Sequence, residues 1–80
     1  MTITQAVKQR LKELAIQKNI SFYRLVRIGA ISPNTGNKIM AEEHKSVNLR
    51  TVLQFASALG ITPSEFFDSP LFTDPDLEID

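Results

Sequence analysis

The stretch ISFYRLVRIGAISPNTGNKIM, residues 20–40, decides the fold, because it holds two short helical patterns joined by a tight connection. Ser21 is a residue type preferred at a helix N-cap, and Leu25 and Ile28 follow it at helical spacing. This pattern predicts a helix over residues 22–28 that buries both aliphatic side chains.

The second pattern begins shortly after Gly29, a residue type that commonly ends a helix. Ser32 is suited to an N-cap, and Pro33 has its φ fixed near the value that the first helical position needs. A helix is therefore predicted to begin at Ser32.

The two faces of this helix differ sharply in composition. Its inner stripe contains Gly36, where an aliphatic residue is expected, followed by Ile39 and Met40. Its outer face is entirely polar, and three of its four residues are uncharged, which is unusual for a face that is merely solvated. Short amide and hydroxyl groups are suited to hydrogen bonding with base edges. The outer residues are Asn34, Thr35, Asn37 and Lys38.

Three further helices are predicted around this pair. Residues 3–18 and residues 49–59 each carry an apolar stripe, and residues 62–67, TPSEFF, begin with a capping box and a proline. No alternating run of β-branched residues predicts a strand, so the expected fold is all-α, with five helices. The predicted inward residues are Val7, Leu11, Leu14, Ala15, Leu49, Val52, Leu53, Ala56, Leu59, Phe66 and Phe67, and the predicted polar face of the first helix is Lys8, Gln9, Lys12 and Glu13.

Length and composition limit the classes of protein that the chain can be. Its 80 residues suit one small domain, and a hydrophobic content of 42% is enough for a core. No segment is long and apolar enough to span a membrane or to form a signal peptide, so a cytoplasmic protein is expected. With no cysteine and a single histidine, His44, neither a disulfide nor a zinc site is expected.

Charge is distributed unevenly although the formal net charge is zero. All nine Lys and Arg residues lie at or before Arg50, and six of the nine acidic residues lie after it. We therefore divide the chain into a domain, residues 1–68, and an acidic tail, residues 69–80, which is expected to be extended or disordered unless Leu71 and Phe72 dock on the domain or on a second subunit. The basic domain suits a polyanionic partner, but a solvated domain with a solubilising tail has the same charge pattern.

The segment from Thr4 to Phe67 resembles the phage-repressor and Cro type of helix-turn-helix domain, the XRE family. The matching stretches are ISFYRL in the second predicted helix, ISPNT in the third, and VNLRTVLQFASALGITPSEFF over the last two. The resemblance implies a five-helix bundle that places the third helix in the major groove of double-stranded DNA. It also implies a domain that usually acts as a homodimer on a two-fold site.

The resemblance assigns the outer face of the third helix to base contacts and the polar groups beside it to phosphate contacts. An amide can pair with adenine and a lysine can reach guanine, but the same residues also suit a plain solvated face. The expected base contacts are Asn34, Thr35, Asn37 and Lys38. The expected phosphate contacts are Tyr23, Arg24, Arg27, Lys45, Ser46, Asn48 and Arg50.

Several positions depart from the family pattern. The turn glycine of the family aligns with Ala30, and we expect the neighbouring Gly29 to make the bend instead. The small residue of the second helix is replaced by Val26 and the aliphatic residue of the third by Gly36, so Val26 is expected to fill the space at Gly36. Phe22 stands where many relatives have a glutamine that touches DNA.

The expected function is sequence-specific binding of double-stranded DNA by a transcriptional regulator that forms a homodimer. The alternative is a protein–protein interaction module on the same fold, antitoxin-like or an adaptor, with the acidic tail as its binding element. The sequence shows no nucleophile paired with a base, no Gly-rich phosphate loop and no paired inward carboxylates, so no enzymatic activity, cofactor or metal is expected.

Overall fold

The computed structural model describes residues 1–40 and 47–80. These residues form five α-helices and no β-strand, which confirms the predicted all-α class. A single isolated parallel bridge joins Thr2 and Glu78. The helices are α1 (Ile3–Gln17), α2 (Phe22–Ile28), α3 (Pro33–Met40), α4 (Leu49–Leu59) and α5 (Pro63–Phe67), and a 3₁₀ turn follows at Pro70–Phe72.

Side-chain caps fix where the helices begin. The Ser21 side chain accepts a hydrogen bond from the Arg24 amide, which begins α2 at the predicted residue. At α5 the predicted capping box is complete, since the Thr62 hydroxyl accepts from the Glu65 amide and the Glu65 carboxylate accepts from the Thr62 amide. Each cap satisfies an amide that has no partner within its helix.

One apolar cluster holds the helices together. Phe55 of α4 and Phe66 of α5 are fully buried at its centre, together with Leu11 and Leu25. Full burial of one such side chain contributes about 1.5–3 kcal/mol. The remaining buried members of the cluster are Val7, Leu14, Val26, Ile31, Ile39, Val52, Ala56 and Leu59.

Three predicted core residues of α2 and α4 are exposed. Ile28 is 53% exposed, because the buried face of α2 is formed by Leu25 and Val26, and Ile28 lies roughly 110° around the helix from the midpoint between them. Leu49 and Leu53 are 66% and 40% exposed. The helices that pack against α4 cover a face that includes Thr51 and Phe55 instead, so the outer side of α4 keeps two leucines.

Two further predictions, one in α1 and one in α5, are also wrong. Lys8, expected on the polar face of α1, is buried, and it lines a small apolar pocket with Lys12, Phe22 and Ile39. Phe67, expected in the core, is 37% exposed and makes an edge-on contact with Phe66, which is fully buried.

The bend between α2 and α3 is made by Ala30. Its φ is +54°, in the left-handed region, whereas Gly29 has a helical φ of −75°. The expectation that Gly29 takes over the bend is therefore wrong. Gly29 serves close packing instead, since a Cβ there would lie 3.3 Å from the Gln54 carbonyl oxygen of α4.

The acidic tail packs against the domain. Phe72 lies on the aromatic rings of Phe66 and Phe67, with ring centroids 6.3 and 5.0 Å away. Farther along, the Ile3 amide donates to the Glu78 carbonyl oxygen at 2.7 Å. The tail is therefore docked on the domain, which is the second of the two expectations, and it is not simply extended. The functional division at residue 68 stays a prediction.

Candidate nucleic-acid interface

The start of α3 is built by Ser32, as predicted. Its side-chain oxygen accepts a hydrogen bond from the Thr35 amide at 3.2 Å, and its carbonyl oxygen accepts one from the Gly36 amide at 3.0 Å. The Ser32 hydroxyl also donates to the Thr35 hydroxyl oxygen at 2.8 Å. These hydrogen bonds join residues three and four positions apart, so the first turn of α3 is fixed by local contacts.

The inner side of α3 rests on α2. Gly36 is buried, and a Cβ placed on it would lie 3.0 and 3.1 Å from the two γ-methyl carbons of Val26. Val26 therefore occupies the space that a side chain at position 36 would need, as predicted. Ile39, 2% exposed, anchors the second turn in the core.

This packing turns the polar face of α3 toward solvent. Asn34, Asn37 and Lys38 are exposed, so their amide and ammonium groups are accessible to a partner. Thr35 is half-buried, and its hydroxyl is already bonded to Ser32. Three of the four expected base contacts thus share an open surface, and the fourth lies at its edge in the capping turn.

Helix α2, which packs against α3, carries the first group of residues that are predicted to contact phosphates. Tyr23, Arg24 and Arg27 are all exposed, and the two arginines line a shallow depression together with Ile28. Phe22 is half-buried and packs on Phe55, with ring centroids 5.6 Å apart. The aromatic side chain that replaces the family's glutamine therefore has an apolar partner within the protein.

The beginning of α4 supplies the second expected group of phosphate contacts. The Asn48 side-chain oxygen accepts a hydrogen bond from the Thr51 amide at 2.8 Å, which leaves the side-chain nitrogen of Asn48 to donate outward. Arg50 is exposed in the first turn of the same helix. Lys45 and Ser46, the other two residues predicted for this group, lie outside the described residues, as does His44.

The acidic tail places a carboxylate at the N-terminus of α1. Asp80 accepts hydrogen bonds there from the amide and the hydroxyl of Thr4. Desolvation raises the pKa of Asp80, but the hydrogen bonds to its carboxylate, led by those from Thr4, together outweigh desolvation and lower the pKa below its ordinary value. Asp80 also lines a surface cavity with Val47, the residue before the N-cap of α4. Nothing in the local sequence around either end predicts this contact.

Two further observations concern the described ranges as a whole. No helix within them has the length and hydrophobicity that a membrane span requires. Within residues 1–40 and 47–80, no three histidine or acidic side chains are grouped closely enough to hold a metal ion.

Comparison with known proteins identifies the arrangement of α2 and α3. Residues 10–70 match the family model described as a Cro/C1-type HTH DNA-binding domain. The chain belongs to the Cro/C1-type helix-turn-helix family. This membership confirms the family resemblance seen in the sequence, and it makes the chain a DNA-binding domain of that class.

A solved structure extends the match to almost the whole chain. The crystal structure of the prophage Lp1 protein 11 is 26% identical and superimposes with a TM-score of 0.82, over 92% of this chain and 97% of that one. A search of the curated proteins found no match. Because 92% of the chain is more than residues 1–67, the likeness to that structure extends past α5 into part of the tail.

Proposed function

We propose that the protein is a sequence-specific transcriptional regulator that reads the major groove of double-stranded DNA with α3. The observation that carries the proposal is the open row of Asn34, Asn37 and Lys38 on α3 of a Cro/C1-type domain. An asparagine amide can pair bidentately with adenine, because its nitrogen donates to N7 and its oxygen accepts from the N6 amino group. A lysine can donate to guanine N7 and O6. These side chains supply the sequence-dependent part of binding.

The flanking cations supply the part that does not depend on sequence. Arg24 and Arg27 are exposed on α2, which packs against α3, and Arg50 is exposed in the first turn of α4. Tyr23 and Asn48 add uncharged donors. Lys45 and Ser46, which precede α4 in the sequence, are also proposed to contact phosphates. Such contacts hold the domain in register on the phosphate backbone while the groups on α3 meet the base edges.

A homodimer on a two-fold DNA site is part of this proposal. One small domain buries little surface on DNA and binds weakly alone, so two linked copies are needed for useful affinity. Phe72, considered above as a possible contact with a second subunit, packs on Phe66 and Phe67 of its own chain. We expect the protein to act in the cytoplasm, where bacterial and phage DNA is found, and to act without catalysis or a cofactor.

Titration of DNA binding with salt tests the proposal. Cations that neutralise phosphates release counterions, so the logarithm of the binding constant should fall linearly with the logarithm of salt concentration. Lys38→Glu should abolish binding, because it places a carboxylate in the groove. Lys18→Glu makes the same charge change at the exposed C-cap of α1 and serves as the matched control. Affinity that is indifferent to salt and to Lys38→Glu would refute DNA reading by α3.

One observation favours the alternative, a protein–protein interaction module. Leu49 and Leu53 are exposed four residues apart on α4, which places two apolar side chains next to each other on an open helix face. A partner held by this face would bind with little dependence on salt. The same titration therefore separates the two functions, and Leu53→Ser would weaken binding only in the second.

A further inference from the structure

Where Val26 of α2 meets Gly36 of α3, only one of the two residues has a side chain. The backbone of α3 at Gly36 faces the γ-methyl groups of Val26 directly, at the distances given above. Val26 is only 8% exposed, and Gly36 is also buried. The separation of the two helices at this point is therefore set by the valine alone.

We propose that Val26 is a positioning residue for DNA reading, because it sets how far the middle of α3 stands from the body of the domain. The inference rests on the proposed function of α3 as the reading helix. It assigns a role in base specificity to a residue that faces away from DNA and that DNA does not touch.

The length of α3 makes its position sensitive to this contact. The helix has 8 residues, little more than two turns, and Ile31 before it and Ile39 near its end are buried in the core. Gly36 lies between these anchors and opposite the exposed row. A change in the spacing at position 36 would tilt or lift α3 and move the amides of Asn34 and Asn37 with it.

Small displacements are enough to change base reading. A hydrogen bond from nitrogen to oxygen works within a window of about 0.5 Å, from roughly 2.7 to 3.2 Å. A functional constellation tolerates displacements of about the same size. A Cβ at position 36 would be tighter against Val26 than ordinary contacts allow, so α3 or Val26 has to move by a few tenths of an ångström.

The exchange variant Val26→Gly/Gly36→Val separates positioning from core filling. It keeps the amino-acid composition and the side-chain volume of the pair, but it moves the spacer from α2 to α3. Because a Cβ in a helix points toward that helix's own N-terminus, the moved valine would press on α2 along a different direction. Core volume is thus preserved while the position of α3 is changed.

The test compares the wild type, the exchange variant and Gly36→Ala by thermal unfolding and by base preference. Preference is measured by selecting duplexes from a random DNA pool and then by the Kd ratio between the best site and its single-base-pair variants. We expect the Kd of the exchange variant for random-sequence DNA to stay within about twofold of the wild-type value. Its Kd ratio between the best site and the single-base-pair variants should be about tenfold or more smaller than that of the wild type. Gly36→Ala adds a single methyl group, and it should change the same Kd ratio by about threefold. This smaller substitution still tests the positioning role if the exchange variant does not fold.

Val7→Ala, a core change in α1, is the control, and it should lower Tm without changing base preference. If the variants at positions 26 and 36 fold and keep the wild-type preference, the positioning role is overturned and the proposed function stands. If the wild type itself shows no base preference, the proposed function fails and the positioning role fails with it.

Discussion

The carboxylate of Asp80 accepts hydrogen bonds from the amide and from the hydroxyl of Thr4, at 3.2 and 2.9 Å, and so closes the first turn of α1 with a residue 76 positions away. The Ile3 amide is bonded to the Glu78 carbonyl oxygen and the Gln5 amide to the Thr2 hydroxyl. The tail and the local cap thus share the first-turn amides of α1, which have no partner within the helix. A negative charge at a helix N-terminus also interacts favourably with the helix dipole.

Asp80→Asn should therefore lower Tm at neutral pH, because it removes the charge that the amide and the hydroxyl of Thr4 contact. The pKa of Asp80 is lowered in the folded protein from its ordinary 3.8, so its contribution is fully present above that pH and is lost as pH falls through the lower folded value. Thermal scans should show the largest Tm difference above about pH 5 and a vanishing one at strongly acidic pH. Asp76→Asn changes an exposed carboxylate of the same tail and is the control; an equal effect of the two variants would contradict the cap.

Arg10 joins α1 to the end of α5 and should be intolerant even of lysine. Its guanidinium donates to the carbonyl oxygens of Phe66, Glu65 and Asp68, at 2.7, 2.8 and 3.2 Å. Lysine keeps the charge but cannot reproduce the planar fork, so Arg10→Lys should cost about 1–2 kcal/mol in the free energy of unfolding. Denaturant unfolding measures this, and Arg24→Lys on the exposed side of α2 should cost much less.

The bend between α2 and α3 predicts opposite effects at two adjacent residues. Ala30→Gly should raise the free energy of unfolding by about 0.5–1 kcal/mol, because relief of the left-handed strain at φ +54° outweighs the entropy of an added glycine. Gly29→Ala should lower it by about 1–3 kcal/mol, because its Cβ would crowd Ile31 Cδ1 at 3.1 Å and the Gln54 carbonyl at 3.3 Å. Thermal unfolding of both variants is the measurement, and stabilisation by Gly29→Ala would contradict the close packing.

Gly36→Ile should destabilise the domain even though it restores the residue type expected in the family. The isoleucine would overlap the γ-methyl groups of Val26, and overpacking of this kind costs about 1–3 kcal/mol. In a Val26→Ala background the same substitution should cost less, since the space is then free. A clear rise in Tm for Gly36→Ile alone would contradict the compensation between the two positions.

Short-range signals predicted the helices and the exposed face of α3. Capping bonds join residues three apart, so Ser21 and Thr62 mark the helix starts within the sequence itself. The exposed row on α3 follows from helical periodicity once Ser32 fixes the first turn. The Val26–Gly36 contact could be predicted because both positions depart from the family pattern in opposite directions.

Long-range contacts were beyond the same reasoning. Arg10 reaches α5 across 56 residues to the carbonyl of Phe66, and its helix offers no pattern that marks it as a cap. Exposure of Leu49 and Leu53 depends on which neighbouring helices cover α4, and periodicity gives the width of an apolar face but not its centre. Ala30 has a left-handed φ although its residue type disfavours one, and it stands where the family has its turn glycine.

Base preference in variants of α3 and of its flanks tests the central claim most directly. Duplexes selected from a random pool would be followed by Kd measurements on the best site and on its single-base-pair variants, for the wild type, Asn37→Ala and Arg27→Ala. In Asn37→Ala, the Kd ratio between the best site and its variants at one base pair should fall by about 5- to 150-fold, the equivalent of about 1–3 kcal/mol. Arg27→Ala should weaken binding to all sequences about equally and reduce the salt dependence. A wild type without base preference, or a preference that survives the removal of Asn34, Asn37 and Lys38 side chains, would contradict reading of DNA by α3.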